Sequence, residues 1–211
     1  MKQISIILFT LLACILGACS SDDDKGLEVA DSYTPLIKEG KMWYYTVYSH
    51  SPYYPSAVEF FKGDTLIGGN AYHKLYRTDT SVPNRDMYRA AFREEGKKVY
   101  CVKDGSTVEV LAYDFGLSLG SSFTVMLAPT ATQATVAAVT MDSNLNGSQQ
   151  VQHCSQMTLT AKGVGSMLWV EGVGTLQGLV YDFRNRSGLG GGEMLYLCSD
   201  LSTGQVFYQR R

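Results

Sequence analysis

Residues 116–120 read Gly-Leu-Ser-Leu-Gly, which matches the G-x-S-x-G pattern of a hydrolytic serine. That chemistry needs the serine on a strained turn between a strand and a helix, so that its hydroxyl is exposed to substrate. The following residues, 121–127, are strand-like instead, and the chain lacks alternating strands and helices. We therefore expect Ser118 to lie in an ordinary turn rather than to act as a nucleophile.

Residues 142–147 match the first half of an EF-hand calcium loop, because oxygen-bearing side chains alternate there before a glycine. The twelfth position of that loop is His153, which cannot supply the bidentate carboxylate, and a hairpin turn at 146–147 accounts for the same residues. The remaining histidines, His50 and His73, lie in separate segments without metal-ligand spacing. We predict neither a metal site nor a cofactor.

Two carboxylates beside aromatic residues could act on a sugar. Glu171 follows Trp169 by two positions and Asp114 follows Tyr113, and glycoside hydrolysis uses two carboxyl groups about 5 to 9.5 Å apart. Each acid could equally be hydrogen-bonded or salt-bridged at a strand end, for example to Arg93. Because no catalytic constellation is complete in its sequence context, we expect no enzyme activity and keep a glycan-directed hydrolase as an alternative.

An aromatic crowd between residues 43 and 54 is the best candidate for ligand contact. Strand alternation places Trp43 and Tyr45 on one face and Tyr44 on the other, so much of the crowd should be core. Tyr53 and Tyr54 differ, because they lie between two prolines in a stretch unsuited to a central strand. These two rings could stack on a sugar or a peptide, or they could simply pack over an open end of the domain.

Most of the chain has the pattern of β-strands, with short apolar or alternating segments separated by Gly, Asn and Asp turns. The predicted strands span residues 42–49, 57–61, 64–67, 72–76, 87–94, 98–102, 108–114, 122–127, 132–141, 150–162, 167–171, 194–198 and 205–209. Short helices could form at 33–40 or at 184–192, where four glycines favour a loop instead. Turn residues between the strands predict antiparallel hairpins. We predict an all-β fold, an antiparallel meander that closes into a barrel or folds into a two-sheet sandwich.

Residues 1–18 have the pattern of a lipoprotein signal peptide. Lys2 is followed by an apolar run of about 15 residues, which is shorter than the ~20 that a helix needs to span a membrane. The run ends in Leu-Gly-Ala before Cys19, which resembles the lipobox where a cysteine is acylated before cleavage. We predict that Cys19 becomes the first residue, carries lipid and anchors the protein to a membrane.

An acidic run follows the lipid site and consists of Ser20, Ser21, Asp22, Asp23 and Asp24. It resembles the surface-export tag of lipoproteins from the Bacteroidetes, and it also fits a solvated segment too polar to fold. We predict a disordered, lipidated tether over residues 19–32. The protein is expected to be exported to the outer membrane, on the cell surface or on the periplasmic face.

The mature chain is slightly acidic. Without residues 1–18 it has 17 Lys and Arg against 20 Asp and Glu, a net charge of −3, so nucleic acid is not an expected partner. About 190 residues, from a full sequence that is 45% apolar, suit one domain over residues 33–211. Cys101, Cys154 and Cys198 could form at most one disulfide after export, and the sequence leaves its partners open.

Four patches follow one another along the chain: GDT at 63–65 with YHKLY at 72–76, FREEGKKVY at 92–100, EVLAYDF at 109–115, and WVEGVG at 169–174 with Gly178. In this order they resemble an uncharacterised β-rich domain of secreted and surface proteins of the Bacteroidetes. The chain departs from that pattern at 120–121, where Gly-Ser replaces Gly-Asp, and in the glycine-rich turn after residue 68. The resemblance covers about residues 40–211 and implies a class and a location, not an activity.

Asp64-Thr65-Leu66 resembles the O-glycosylation sequon of exported proteins from the same bacterial group, which predicts a sugar on Thr65. The sequence as a whole predicts a lipoprotein whose β domain binds a glycan or an envelope or surface protein. Besides the hydrolase, the alternative is a structural accessory of an envelope complex.

Overall fold

A computed structural model describes residues 33–47, 55–82, 84–125, 131–144, 152–180 and 193–210, with the backbone alone at 47, 141–144 and 152–154. Residues Tyr33–Arg211 make up one compact unit. The described residues contain thirteen strands and no helix, and so no helix long and apolar enough to cross a membrane. The strands are β1 (Lys41–Val47), β2 (Ala57–Ile67), β3 (Asn70–Asp79), β4 (Met87–Glu95), β5 (Lys98–Lys103), β6 (Glu109–Asp114), β7 (Ser122–Val125), β8 (Thr132–Asn144), β9 (Gln152–Ala161), β10 (Gly165–Val170), β11 (Gly174–Thr175), β12 (Glu193–Asp200) and β13 (Val206–Gln209).

The strands form two antiparallel sheets. The larger sheet has eight strands in the order β13-β12-β1-β2-β3-β4-β5-β6, and the smaller has five in the order β11-β10-β9-β8-β7. Each sheet is largely a meander, except that β12 returns to pair with β1, and β13 then pairs with β12. The larger sheet is curled, and the arrangement is sandwich-like. The predicted all-β, antiparallel fold is therefore confirmed, and the sandwich is the form it takes.

The core lies between the sheets because alternate residues of each strand point inward. Trp43 and Tyr45 are both fully buried, as their alternation in the sequence predicted. On the smaller sheet, the Trp169 ring lies 4.9 Å from Phe123 and 5.2 Å from Tyr113, both edge-on. Edge-to-face pairs of this kind add about 0.5–1.5 kcal/mol each beyond the area they bury. The aromatic residues therefore join the two sheets.

The predicted strands 57–61 and 64–67 are one continuous strand, β2. The register with β3 shifts between Phe61 and Asp64, where Gly63 has a φ of +65°. A bulge therefore stands where the sequence predicted a break. The β2–β3 hairpin then closes through Gly68 and Gly69, whose φ angles of +58° and +87° fit the tight turn that favours glycine at both positions.

The helix predicted at 33–40 is wrong. Glu94 accepts the backbone amides of Leu36 at 2.9 Å and of Ile37 at 3.1 Å, and the Lys41 ammonium donates to the carbonyl of Leu36 at 3.2 Å. Side chains from the sheet thus bind the Ile37 amide and the Leu36 carbonyl, which a helix over 33–40 would have paired internally. The alternative short helix at 184–192 lies outside the described residues.

Candidate functional site

Most of the predicted site residues lie outside the described residues. They are Cys19, Ser20, Ser21, Asp22, Asp23, Asp24, Tyr53 and Tyr54. The chain after the Tyr53–Tyr54 segment is described from Pro55 onward. There Ser56 donates its amide to the carbonyl of Tyr45 at 2.7 Å and its hydroxyl to Glu193 at 2.8 Å. The residues that flank this segment are therefore fixed at the end of the sheet where β12 begins.

Thr65 lies on β2 near the tip of the β2–β3 hairpin. Its neighbour Leu66 is 75% exposed, and Asp64 pairs with His73 at 2.8 Å. Thr65 itself is half-buried and lies opposite Tyr72. The proposed sequon is thus carried by a projecting hairpin whose exposed flanks an enzyme can approach.

If Thr65 is glycosylated, the native mature protein should be heavier than the lipidated polypeptide alone by the mass of a sugar. Intact-mass spectrometry should show the increment, and Thr65→Ala should remove it because the acceptor oxygen is gone. Thr203→Ala serves as the control, since Thr203 is exposed but has no preceding aspartate, and it should keep the increment. A native mass explained by lipid alone contradicts the prediction.

The two candidate carboxylates both bind backbone amides. Glu171, which is 7% exposed, accepts the amide of Thr34 at 2.8 Å, and Asp114 accepts the amide of Gly116 at 2.9 Å. The sequence left two roles open for these acids, a catalytic pair or hydrogen bonding at strand ends, and these bonds are of the second kind. Ser118 lies, as expected, in a turn that leads into β7, and its carbonyl accepts the amide of Ser121 at 3.0 Å.

The described histidine side chain is paired with a neighbouring acid, and the described cysteine side chains are buried. His73 pairs with Asp64. Cys101 and Cys198 are buried free thiols, and burial raises the pKa of each to about 12, which keeps them protonated and unreactive at neutral pH. Within the described ranges, no group of three or more His, Cys, Asp or Glu side chains is placed to hold a metal ion.

Residues 171–180 form a mostly buried loop between the sheets. A buried loop needs partners for its backbone polar groups, and four side chains of the larger sheet supply them. The bonds run from Lys41 to the carbonyl of Gly172 (2.9 Å), from Trp43 to that of Val173 (2.8 Å), from Tyr113 to that of Leu179 (2.7 Å), and from the Leu179 amide to Glu59 (3.1 Å). The WVEGVG patch therefore has a structural role, because its backbone closes the core between the two sheets.

A charged cluster lies at the end of the sheet where β3 ends. Arg77 pairs with Glu193 at 2.5 Å and with Asp79 at 3.1 Å. Glu59 lies opposite Arg77 on β2, is 3% exposed, and accepts the Tyr45 hydroxyl at 2.8 Å. Burial raises the pKa of the Glu59 carboxyl. Each of these charged groups has a partner inside the domain, so the cluster stabilises this end of the sheet.

A row of four side chains crosses the outer face of the larger sheet, the face turned away from the core. Met42 lies opposite Phe60, Phe60 opposite Tyr76, and Tyr76 opposite Tyr88, on strands β1 to β4. The Phe60 and Tyr76 rings are 6.2 Å apart and nearly parallel, and the Tyr76 and Tyr88 rings are 5.8 Å apart and edge-on. All four side chains are half-buried. We call these four residues the outer row.

The surroundings of the outer row are apolar at its centre and charged at its edge. Tyr44 donates its hydroxyl to the Met42 sulfur at 3.6 Å, and Val58 lies opposite Tyr44 on the next strand. At the edge, Lys62 pairs with Asp86 at 3.2 Å, and Asp86 also accepts the Thr78 hydroxyl at 2.8 Å. An apolar centre rich in Tyr, Phe and Met inside a polar rim is the composition of protein–protein interfaces.

Sequence reasoning missed the outer row because its members come from four strands. Each ring alone occupies an outward position in an alternating strand, where a polar residue is expected. That departure from alternation at Phe60, Tyr76 and Tyr88 was the available signal, but the cross-strand register that unites them is not visible in the sequence. Comparison of the chain with family models, with curated proteins and with solved structures finds no match.

Proposed function

We propose that this chain is an exported lipoprotein, anchored to the outer membrane through lipid on Cys19, whose β domain is an interaction module. It binds a partner protein of the envelope or cell surface through the outer row. The observation that supports this is the charge-free succession of Met42, Phe60, Tyr76 and Tyr88 on one sheet face. Aromatic side chains of this kind supply most of the binding energy in protein interfaces.

The shape of this face favours a macromolecular partner over a small molecule. The inner side of the curled sheet holds the core, so the outer row lies on the opposite, outward-curving face. Small-molecule sites are concave and bury most of the ligand. A protein surface can cover four strands at once, and the tyrosine hydroxyls at Tyr76 and Tyr88 offer hydrogen bonds at its edge.

The test is photo-crosslinking in intact cells, with p-benzoylphenylalanine in place of Tyr76. We expect one discrete protein adduct, because the ring at this position contacts the partner. The control position is Gln133, which is exposed on β8 of the other sheet and should give no such adduct. Protease treatment of the same cells distinguishes a surface location, where the adduct is digested, from a periplasmic one.

With the partner identified, Tyr76→Ala should weaken binding by about thirtyfold, the effect of losing about 2 kcal/mol at a hot spot. Tyr100→Ala is the matched control, since Tyr100 lies on β5 of the same sheet but outside the outer row, stacked on Arg93 at 3.9 Å. Equal losses in the two variants contradict the proposal. If the protein is retained on cell-wall polysaccharide and gives no protein adduct, the partner is a glycan and not a protein.

A further inference from the structure

Three exposed leucines lie at one end of the larger sheet. They are Leu66 beside the β2–β3 turn, Leu119 in the connection after β6, and Leu201 in the β12–β13 turn, and their exposed fractions are 75%, 69% and 65%. In an antiparallel sheet, the end of β2, the end of β6 and the end of β12 fall at the same edge. We call this edge the leucine end.

The N-terminal part of the chain enters the domain at the same edge. β1 begins there, and the Leu201 amide donates to the carbonyl of Gly40 at 3.0 Å. Farther along the edge, the Tyr33 hydroxyl donates to Glu94 near the end of β4. The first residue of the compact unit is therefore fixed at the leucine end.

The distance from this edge to the predicted lipid site is limited. Cys19 precedes Tyr33 by about 14 residues, which span at most about 50 Å when fully extended. Lipid on Cys19 thus holds the attached edge within about 50 Å of the bilayer. Moving exposed leucine side chains from water into the boundary between the lipid headgroups and the acyl chains lowers the free energy.

We propose that the leucine end rests on the membrane surface, with Leu66, Leu119 and Leu201 in the lipid interface. This inference rests on the lipid anchor of the proposed function and adds an orientation to it. Lys38 at this edge is paired with Asp200 at 2.5 Å, and the proposed contact is made by the leucine side chains, so we expect it to need no anionic lipid. Tyr76 and Tyr88 of the outer row, which lie toward the opposite ends of β3 and β4, are then presented away from the bilayer, whereas Met42 at the start of β1 lies nearer to it.

The test uses single tryptophan substitutions in the lipidated mature protein, reconstituted with vesicles of phosphatidylcholine carrying brominated acyl chains. The two native tryptophans are buried, with exposed fractions of 0% and 1%, and give a constant background. Leu66→Trp, Leu119→Trp and Leu201→Trp should show blue-shifted emission that the brominated lipid quenches. Val82→Trp and Val108→Trp are the controls, because these exposed valines lie in the β3–β4 and β5–β6 connections at the opposite edge and should stay unquenched.

The outcomes separate the two proposals. Protein that does not float with the vesicles contradicts the lipid anchor, and the orientation is lost with it. Protein that floats without quenching at the three leucine positions keeps the anchor and overturns the orientation. Quenching at Val82 and Val108 instead of the leucine positions also overturns it. Quenching confined to the leucine positions, and unchanged when anionic phosphatidylglycerol is added, supports it.

Discussion

Replacing Lys41 by methionine should lower the free energy of unfolding by roughly 3–5 kcal/mol, because each buried carbonyl left without a donor costs about 1–3 kcal/mol. Lys41 is fully buried, and its ammonium donates to the backbone carbonyls of Pro35 at 2.6 Å, Leu36 at 3.2 Å and Gly172 at 2.9 Å. Methionine fills a similar volume but donates no hydrogen bond, so three carbonyls lose their charged partner. Urea denaturation of the wild type and the variant measures the loss.

The same lysine should give the wild type a distinctive dependence on pH. Burial lowers the pKa of Lys41 from its ordinary 10.5 to about 8. Between these two values the unfolded chain holds the proton and the folded chain has released it, so the stability of the wild type rises with pH across this window. Lys41→Met lacks the titrating group, and the difference between the two proteins should therefore widen from pH 8 toward pH 10.5.

Lys62→Met is the matched control, because it makes the same change at a side chain that is 67% exposed and paired with Asp86 at 3.2 Å. An exposed pair of this kind contributes about 0.2–1 kcal/mol. If Lys41→Met is no more damaging than Lys62→Met, the three carbonyls must find other partners, and the structural role assigned to Lys41 is wrong.

The sequence predicted the strands well because their signals are local. The turn at Gly68 and Gly69, for example, depends only on residues adjacent in the chain. The helix expected at 33–40 failed because a distant residue, Glu94, binds the backbone amides of Leu36 and Ile37. Such a contact spans more than fifty residues and leaves no trace in local periodicity.

The proposed interaction surface was less predictable than the fold. Tyr53 and Tyr54 were predicted as contact residues from a local signal, their position between two prolines, whereas Phe60, Tyr76 and Tyr88 are separated in the chain and meet only through strand register. The buried charge of Lys41 was likewise invisible, since a lysine at the start of a strand ordinarily faces solvent. Both features depend on pairings between strands, which alternation alone does not specify.

The WVEGVG patch illustrates how a sequence resemblance can reflect packing rather than chemistry. Gly172 has a φ of +73°, and a methyl group added to it would lie 2.5 Å from the Thr34 Cγ2 atom. At Gly174, where φ is +85°, an added methyl would lie 2.8 Å from Leu179. A side chain at either position would have a strained backbone conformation and would force its neighbour to shift, so glycine here serves the closure of the core.

Gly172→Ala should therefore destabilise the domain by about 3 kcal/mol, the sum of a left-handed alanine and a steric clash. Gly163→Ala isolates the first effect, because Gly163 has the same φ of +73° with no atom within 4 Å of the added methyl. We expect Gly163→Ala to cost about 1 kcal/mol. The difference between the two variants in urea denaturation then measures the clash with Thr34.

Thr34→Ser tests the identity of the clashing group, because it removes the Cγ2 atom and keeps the backbone amide that donates to Glu171 at 2.8 Å. In the double variant Gly172→Ala with Thr34→Ser, about half of the lost stability should return, since the strained backbone remains while the 2.5 Å contact is gone. Serine in place of Thr34 should not rescue Gly163→Ala, because no atom of Thr34 is near that glycine. Additive losses in the double variant would show that the segment before β1 does not pack against Gly172 as described, and the close fit between the N-terminal residues and the buried loop would then have to be abandoned.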